Sequence, residues 1–404
     1  MRSRALDVFA LCSFLLVGCA GEVDPSDEET PDDGALGVAQ QPLGGGASFP
    51  SISDVDATKV VTYGTHACAR RPSGALACWG NNTWGQLGRG ATGASQPYAG
   101  NVTVVPTAAD LSNDGSGYTC ILRPTDGVVQ CWGLNQSATL SVFANGSYPQ
   151  PITVPGIAYA TTMGGGNTAN CAISNSVVQC WGRQSSGVLG DGMNTGALKV
   201  VPQPVSGIAN AVETAASSQA HCARTNAGAV YCWGAGFIQP GPSDGMYPMR
   251  QVSLPSPATS IGVMNDRACA SHANGTVSCW TSTVGSSAPL VATPLAGLNG
   301  TAVSVTAGSS HACAIMSDKT LRCWGTNTYG QLGNGTITSS LPPVPVSNLT
   351  NVTQVSIAGF STCAVAAGYA YCWGNNYDGQ VGNGTTATRT TPAKVQWPPL
   401  VIGL

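Results

Sequence analysis

Charge is scarce in this chain. Asp, Glu, Lys and Arg make up 9% of 404 residues, against about a quarter in typical soluble proteins. That shortage excludes helical solenoids and coiled coils, whose wet faces need those residues. Histidine is nearly absent, with four copies, so no histidine-rich zinc centre is expected. Beyond residue 48 the only glutamate is Glu213. A paired-carboxylate hydrolase would have to rely on aspartates, and none has a distinctive setting. The net charge of −3 supplies no basic field for nucleic acid. The apolar run at 8–17 is too short to cross a bilayer, which takes about 20 residues.

Glycine and proline are abundant. They number 52 and 26, so 78 of 404 residues form or break turns. Hydrophobic residues still reach 43%, too many for disorder. Many short strands joined by many turns satisfy both observations. Sixteen cysteines exceed what a reducing compartment usually holds without metal.

Arg2, Arg4 and the apolar run read as a secretory signal. The closing Leu16-Val17-Gly18-Cys19 resembles the lipobox of bacterial lipoproteins. That resemblance implies cleavage after residue 18 and lipidation of Cys19. Ala20 stands where many inner-membrane lipoproteins carry Asp, so the implied address is the outer membrane or cell surface. Residues 19–48 contain Glu22, Asp24, Asp27, Glu28, Glu29, Asp32 and Asp33, then Gly44-Gly45-Gly46, with no apolar periodicity. They read as a disordered acidic tether. Residues 49–404 then form the folded domain.

One motif recurs seven times in that domain: a cysteine, then eight to ten residues, then Cys-Trp, followed by Gly in every copy but one. Cys68 is followed by Cys78, Cys120 by Cys131, Cys171 by Cys180 and Cys222 by Cys232. Cys269 is followed by Cys279, Cys313 by Cys323 and Cys363 by Cys372. A second motif, Gly85-Gln86-Leu87-Gly88-Arg89-Gly90, returns in variant form at 187–192, 330–335 and 379–384. It lacks the Lys-Ser/Thr of a phosphate loop, so it reads as a structural turn. In the sixth unit the strands fall at Ala302–Ala307, His311–Met316 and Leu321–Trp324. Pro343–Val346 adds a proline-bearing strand suited to a sheet edge. Four strands in about 50 residues describe a propeller blade, and seven blades fill residues 49–404.

The pattern Gly64-Thr65-His66-Ala67-Cys68, Cys78-Trp79-Gly80-Asn81, then Gly85–Gly90 resembles the regulator of chromosome condensation repeat family. The resemblance implies an all-β, seven-bladed β-propeller of four-stranded repeats. It is strong in repeats one, six and seven. Repeats two, four and five lack Gly-Gln-Leu-Gly.

Paired cysteines face each other whatever the hairpin loop length. Cys363 and Cys372 oppose across Ala367-Gly368, and Cys171 and Cys180 across Asn175-Ser176. Cys120 and Cys131 oppose across the longer loop 124–127. Directly opposed Cβ atoms lie about 4.5–5.5 Å apart, near disulfide reach. Seven cross-strand disulfides are expected, one per blade; the alternative is that cysteine serves as a small apolar core residue.

Chemistry is sparse. His66 and His311 share a repeat position and read as structural hydrogen-bonders. Trp84, Tyr329 and Tyr377 read as matching loop positions, which favours packing over a ligand cage. The loops Leu134–Pro149, Ala235–Pro248 and Thr281–Pro289 depart most from the repeat. Their aromatics Phe143, Tyr148, Phe237 and Tyr247 are the candidate partner-binding residues. The expected function is a non-catalytic, surface-anchored binding or scaffold propeller, monomeric, recognising a protein or glycan through loop faces, with no cofactor, metal or nucleic acid. The family supplies one alternative, an extracellular enzyme inhibitor like its β-lactamase-inhibiting relative. Nucleotide exchange, known for the nuclear member, does not suit an exported chain. The final strand, near 392–396, is expected to complete the blade begun by residues 52–63.

Overall fold

The computed structural model describes residues 53–112, 117–218, 220–234, 249–264, 267–281 and 289–398. Every named element is a strand. They form seven sheets in chain order, spanning 59–101, 110–153, 160–204, 211–253, 258–294, 302–345 and 352–394. Within each sheet the strands run consecutively from inner to outer edge. Neighbouring blades meet through their inner strands, and blade one meets blade seven, so the ring closes. This is the seven-bladed β-propeller that the repeat spacing predicts. In blade six the strands are Ala302–Ala307, His311–Met316, Leu321–Gly325 and Ser340–Pro345, with the prolines on the outer edge.

The second and third strands of every blade form a hairpin with the two cysteines directly paired. All seven expected disulfides are present. In blades one to four Cys68 is bonded to Cys78, Cys120 to Cys131, Cys171 to Cys180 and Cys222 to Cys232. In blades five to seven Cys269 is bonded to Cys279, Cys313 to Cys323 and Cys363 to Cys372. Their Cα atoms lie 4.0–4.1 Å apart. That spacing suits the close, non-hydrogen-bonded type of antiparallel pair. All but one of these cysteines are buried; Cys279, in blade five, is only partly so. The two readings of the cysteines therefore hold together: they are cross-linked and they also fill the core. Ala367 and Gly368 take φ of 50° and 82°, and Asn175 and Ser176 take 51° and 63°. Two successive residues at positive φ are the mark of a two-residue hairpin turn. The tryptophan after each second cysteine is buried between blades, with at most 3% exposure.

Where it is kept, in blades one, three, six and seven, the Gly-Gln-Leu-Gly turn or its variant latches one blade to the next. The backbone carbonyl of Gln86 accepts the Trp132 indole N–H at 3.0 Å. Gln331 receives Trp373 at 2.9 Å, Val188 receives Trp233 at 2.9 Å, and Gln380 receives Trp79 at 2.8 Å, which closes the ring. The glycine after the leucine or valine lies against that indole. A Cβ on Gly333 would come within 2.7 Å of Trp373 Nε1, and φ there is +70°, so two independent reasons demand glycine. An asparagine shapes the turn from inside. Asn82 Oδ1 accepts the Leu87 N–H, Asn327 the Leu332 N–H, and Asn376 the Val381 N–H.

Blade two keeps this turn without its glycines. Ala138 and Ser141 stand at the glycine positions with φ of 57° and 66°. Asn135 Oδ1 still accepts the Leu140 N–H, and the Thr139 carbonyl still accepts the Trp181 indole at 2.9 Å.

Two features differ from the sequence reading. The last strand, Arg389–Lys394, belongs to blade seven rather than completing blade one. Closure instead comes from residues 53–57, which cross onto blade seven. Val55 N–H donates to the Val395 carbonyl, Ala370 N–H to the Val55 carbonyl and Trp397 N–H to the Ser53 carbonyl. Lys394 Nζ meets Asp54 Oδ2 at 2.6 Å. Blade one already has four strands of its own, so no edge was left to complete. In the second, blade four carries a fifth strand. Leu290–Val291 pairs parallel with Arg250–Ser253, while Thr293–Pro294 pairs with blade five's own third strand. The chain entering blade five's outer edge thus ties two blades together.

Candidate functional site

In each blade two connections leave on one face of the ring: the turn from the first strand to the second, and the loop from the third to the outer strand. The first-to-second turns of blades one, three, four, six and seven converge on the central axis, around a cavity of about 380 Å³. Its wall is made of residues 63–65, 165–167, 216–218, 308–309 and 357–360, with Asn375 at the rim. Close packing of small residues draws these turns together. A Cβ on Gly166 would lie 2.1 Å from the Ser217 carbonyl oxygen, and one on Gly308 2.6 Å from Ile357.

The wall carries no charged residue among those described. Its backbone carbonyls are largely engaged by the ring itself. Gly64 O accepts Gln380 Nε2, Gly166 O accepts the Tyr118 hydroxyl, Gly359 O accepts the Ser310 hydroxyl and Phe360 O accepts the Asn375 N–H. The side chains of Asn167, Ser217 and Ser309 on this wall have no hydrogen-bond partner among the described residues. Ser217 is 8% exposed, and its Oγ is fully enclosed.

Aromatic side chains stand at the rim beside blades six and seven. Phe360 is 41% exposed and Tyr377 68% exposed. Tyr329 lies between them, its ring 5.0 Å from Phe360 and edge-on to Tyr377 at 6.0 Å. Phe360 occupies the place held by Thr65 in blade one and Ser310 in blade six. That departure from the repeat is the mark this site leaves in the sequence. The matched loop positions differ from the sequence reading. Trp84, Tyr329 and Asp378 all donate their backbone N–H to the glutamine two residues on. Asp378, not Tyr377, is therefore the counterpart of Trp84. Tyr377 falls one position earlier, where blades one and six have Thr83 and Thr328.

The other candidates are dispersed. Phe143 is 66% exposed, in the third-to-outer loop of blade two on the same face. Tyr148 is half-buried, packs on that blade's core and donates its hydroxyl to the Ala144 carbonyl. Phe237, Tyr247 and Cys19 lie outside the described residues. Three of the four histidines are sealed between blades. His311 Nε2 lies 2.6 Å from Thr362 Oγ1, whose hydroxyl donates to the Gln331 carbonyl. The imidazole nitrogen must therefore be the donor to Thr362. His66 repeats this arrangement with Thr119 and Gln86. Burial holds His66 and His311 down to about 3 and His221 to about 4, so each is neutral near pH 7. The remaining one, His272, bonds Ser278 Oγ at 2.7 Å.

The fold defines the class first: a seven-bladed, disulfide-stapled β-propeller, with an axial mouth that no charged residue lines among those described. The comparisons place it further. Residues 302–331 match the regulator of chromosome condensation (RCC1) repeat, and so do 322–365 and 367–402. The matched stretch, residues 302–402, thus carries RCC1 repeats. Among solved structures, human WBSCR16 is 18% identical with a TM-score of 0.68, over 80% of this chain and 95% of that one. Prp20p from Saccharomyces cerevisiae is 18% identical with a TM-score of 0.67, over 86% and 87%. At that identity the likeness shows the fold alone.

Proposed function

We propose that the protein is a non-catalytic binding module, held at the outer membrane or cell surface by a lipid on Cys19, whose protein or glycan partner docks on the face that carries the axial mouth. The observation behind this reading is the rim itself: Phe360 and Tyr377 are exposed beside a cavity, on the same face as Phe143. Exposed aromatics around a concavity are the usual anchors of a docking surface. Seven disulfides suit an oxidising compartment. The sealed, neutral histidines are not placed to exchange protons with a substrate. Prp20p was characterised for binding to Gsp1p and histones. An exported ring meets neither, and only the use of a rigid ring as a docking surface carries over.

Two measurements test the proposal. Metabolic labelling with an alkyne fatty acid should mark the wild type and not Cys19→Ser, which should leave the membrane fraction; an unlabelled wild type refutes the anchor. Cells displaying the domain should deplete a partner from their medium. Phe143→Ala with Phe360→Ala should abolish depletion, whereas Tyr159→Ala, 68% exposed on the opposite face, should not. Equal depletion by all variants refutes the docking face.

A further inference from the structure

We infer that the axial mouth is a binding site for a neutral saccharide, with Phe360 as its stacking platform. The inference rests on the docking face proposed above and names the chemistry of its ligand. The first argument is charge. No cation or anion lines the cavity among the described residues, so an ionised ligand would be stripped of water there without a counter-charge. Uronic and sialic acids, phosphates and acidic peptides are thereby disfavoured.

Hydrogen-bonding capacity gives the second argument. The side chains of Asn167 and Ser309 line the cavity and are uncommitted among the described residues. An amide and a hydroxyl both donate and accept, as sugar hydroxyls do. A peptide strand would instead need free backbone groups for a ladder. The carbonyls of Gly64, Gly166, Gly359 and Phe360 are already taken.

The third argument is shape. Phe360 forms part of the wall, and Tyr329 and Tyr377 extend its aromatic surface outward. A pyranose presents a C–H face to such rings and a hydroxyl edge to the polar wall. The volume of about 380 Å³ falls in the range of about 300–1,000 Å³ for small-molecule sites. It admits one or two sugar rings, the free end of a glycan.

The test uses the purified mature chain and a panel of methyl glycosides of glucose, galactose, mannose and N-acetylglucosamine, with their disaccharides. Ligand-observed NMR and calorimetry should find at least one binder. Phe360→Ala should weaken it about tenfold, and Asn167→Ala or Ser309→Ala several-fold, in line with losing one hydrogen bond. Tyr159→Ala should change nothing. Thermal melts check that each variant is folded; Phe360 and Asn167 are surface-accessible, so at least two variants remain informative. No binding across the panel, binding that ignores Phe360 and Asn167, or equal binding of glucuronic or sialic acid would each overturn the assignment. If the native partner is instead captured after enzymatic deglycosylation, still through Phe360, the saccharide claim fails and the docking face stands.

Discussion

The junction between blades six and seven and the junction between blades four and five are built differently. At the first, one backbone carbonyl, that of Gln331, gathers the Trp373 indole and the Thr362 hydroxyl, and His311 backs the threonine. No formal charge is involved. At the second, Glu213 bridges the blades. Its carboxylate accepts Arg224 Nε at 2.7 Å within blade four and the Ile261 N–H of blade five at 3.2 Å. The Trp280 indole N–H has no partner among the described residues. Leu290–Val291 supplies the strand that ties the outer edges. At the first junction neutral hydrogen bonds around the kept repeat turn hold the blades; at the second, where the sequence has drifted, a charged side chain and a shared strand do so.

Acid should separate the two junctions most. The unfolded chain protonates its histidines near pH 6.5, whereas His66 and His311 stay neutral in the fold down to about 3. The unfolded state binds more protons in that window, so stability falls as pH drops from 6.5 toward 3 and levels off below. Each imidazole costs about 1.4 kcal/mol per pH unit, so the pair costs on the order of 5 kcal/mol by about pH 4.5. Urea melts across that range should show the loss, and His311→Asn should remove a large part of it. Glu213 responds with the opposite sign. Burial raises its pKa above the ordinary value, against the pull of Arg224. The folded state takes up that proton first, so acid relieves this junction. Glu213→Gln should make the acid-induced loss steeper.

The indoles give a smaller contrast. Trp373→Phe forfeits the bond to Gln331, whereas Trp280→Phe forfeits none to a described residue. Chemical denaturation should show the first variant about 1–2 kcal/mol less stable than the second; equal values would remove the carbonyl latch from the account. Ala138→Gly should have the mildest effect and the opposite sign. Ala138 holds φ of 57°, and relieving that backbone should raise stability by about 0.5–1 kcal/mol.

The ring was legible in the sequence because its regularities are local. Cysteines that oppose across a short hairpin, a tryptophan that must fill the next interblade gap, and glycines pressed on that tryptophan each leave a mark at fixed spacing. Cys313 and Cys323 could be paired by counting alone, and so could Cys222 and Cys232 in a blade whose outer loop has drifted. Blade two was harder to read because its turn depends on the Asn135 side chain and tolerates Ala138 and Ser141 at positive φ. Closure by residues 53–57 was not legible, since that segment belongs to no repeat strand and pairs with blade seven, at the other end of the repeat array. The site was read least well. Phe143 sits on a long loop and Tyr148 on the strand after it, yet the mouth is assembled from short turns of five blades. Only Phe360, large where its counterparts are small, marked it in the chain.

The docking face is tested most directly by a photo-cross-linking amino acid placed in turn at positions 377, 143 and 159 of the displayed protein on intact cells. The account predicts one common adduct from 377 and 143 and none from 159. An adduct from 159 alone would place the partner on the other side of the ring and contradict it.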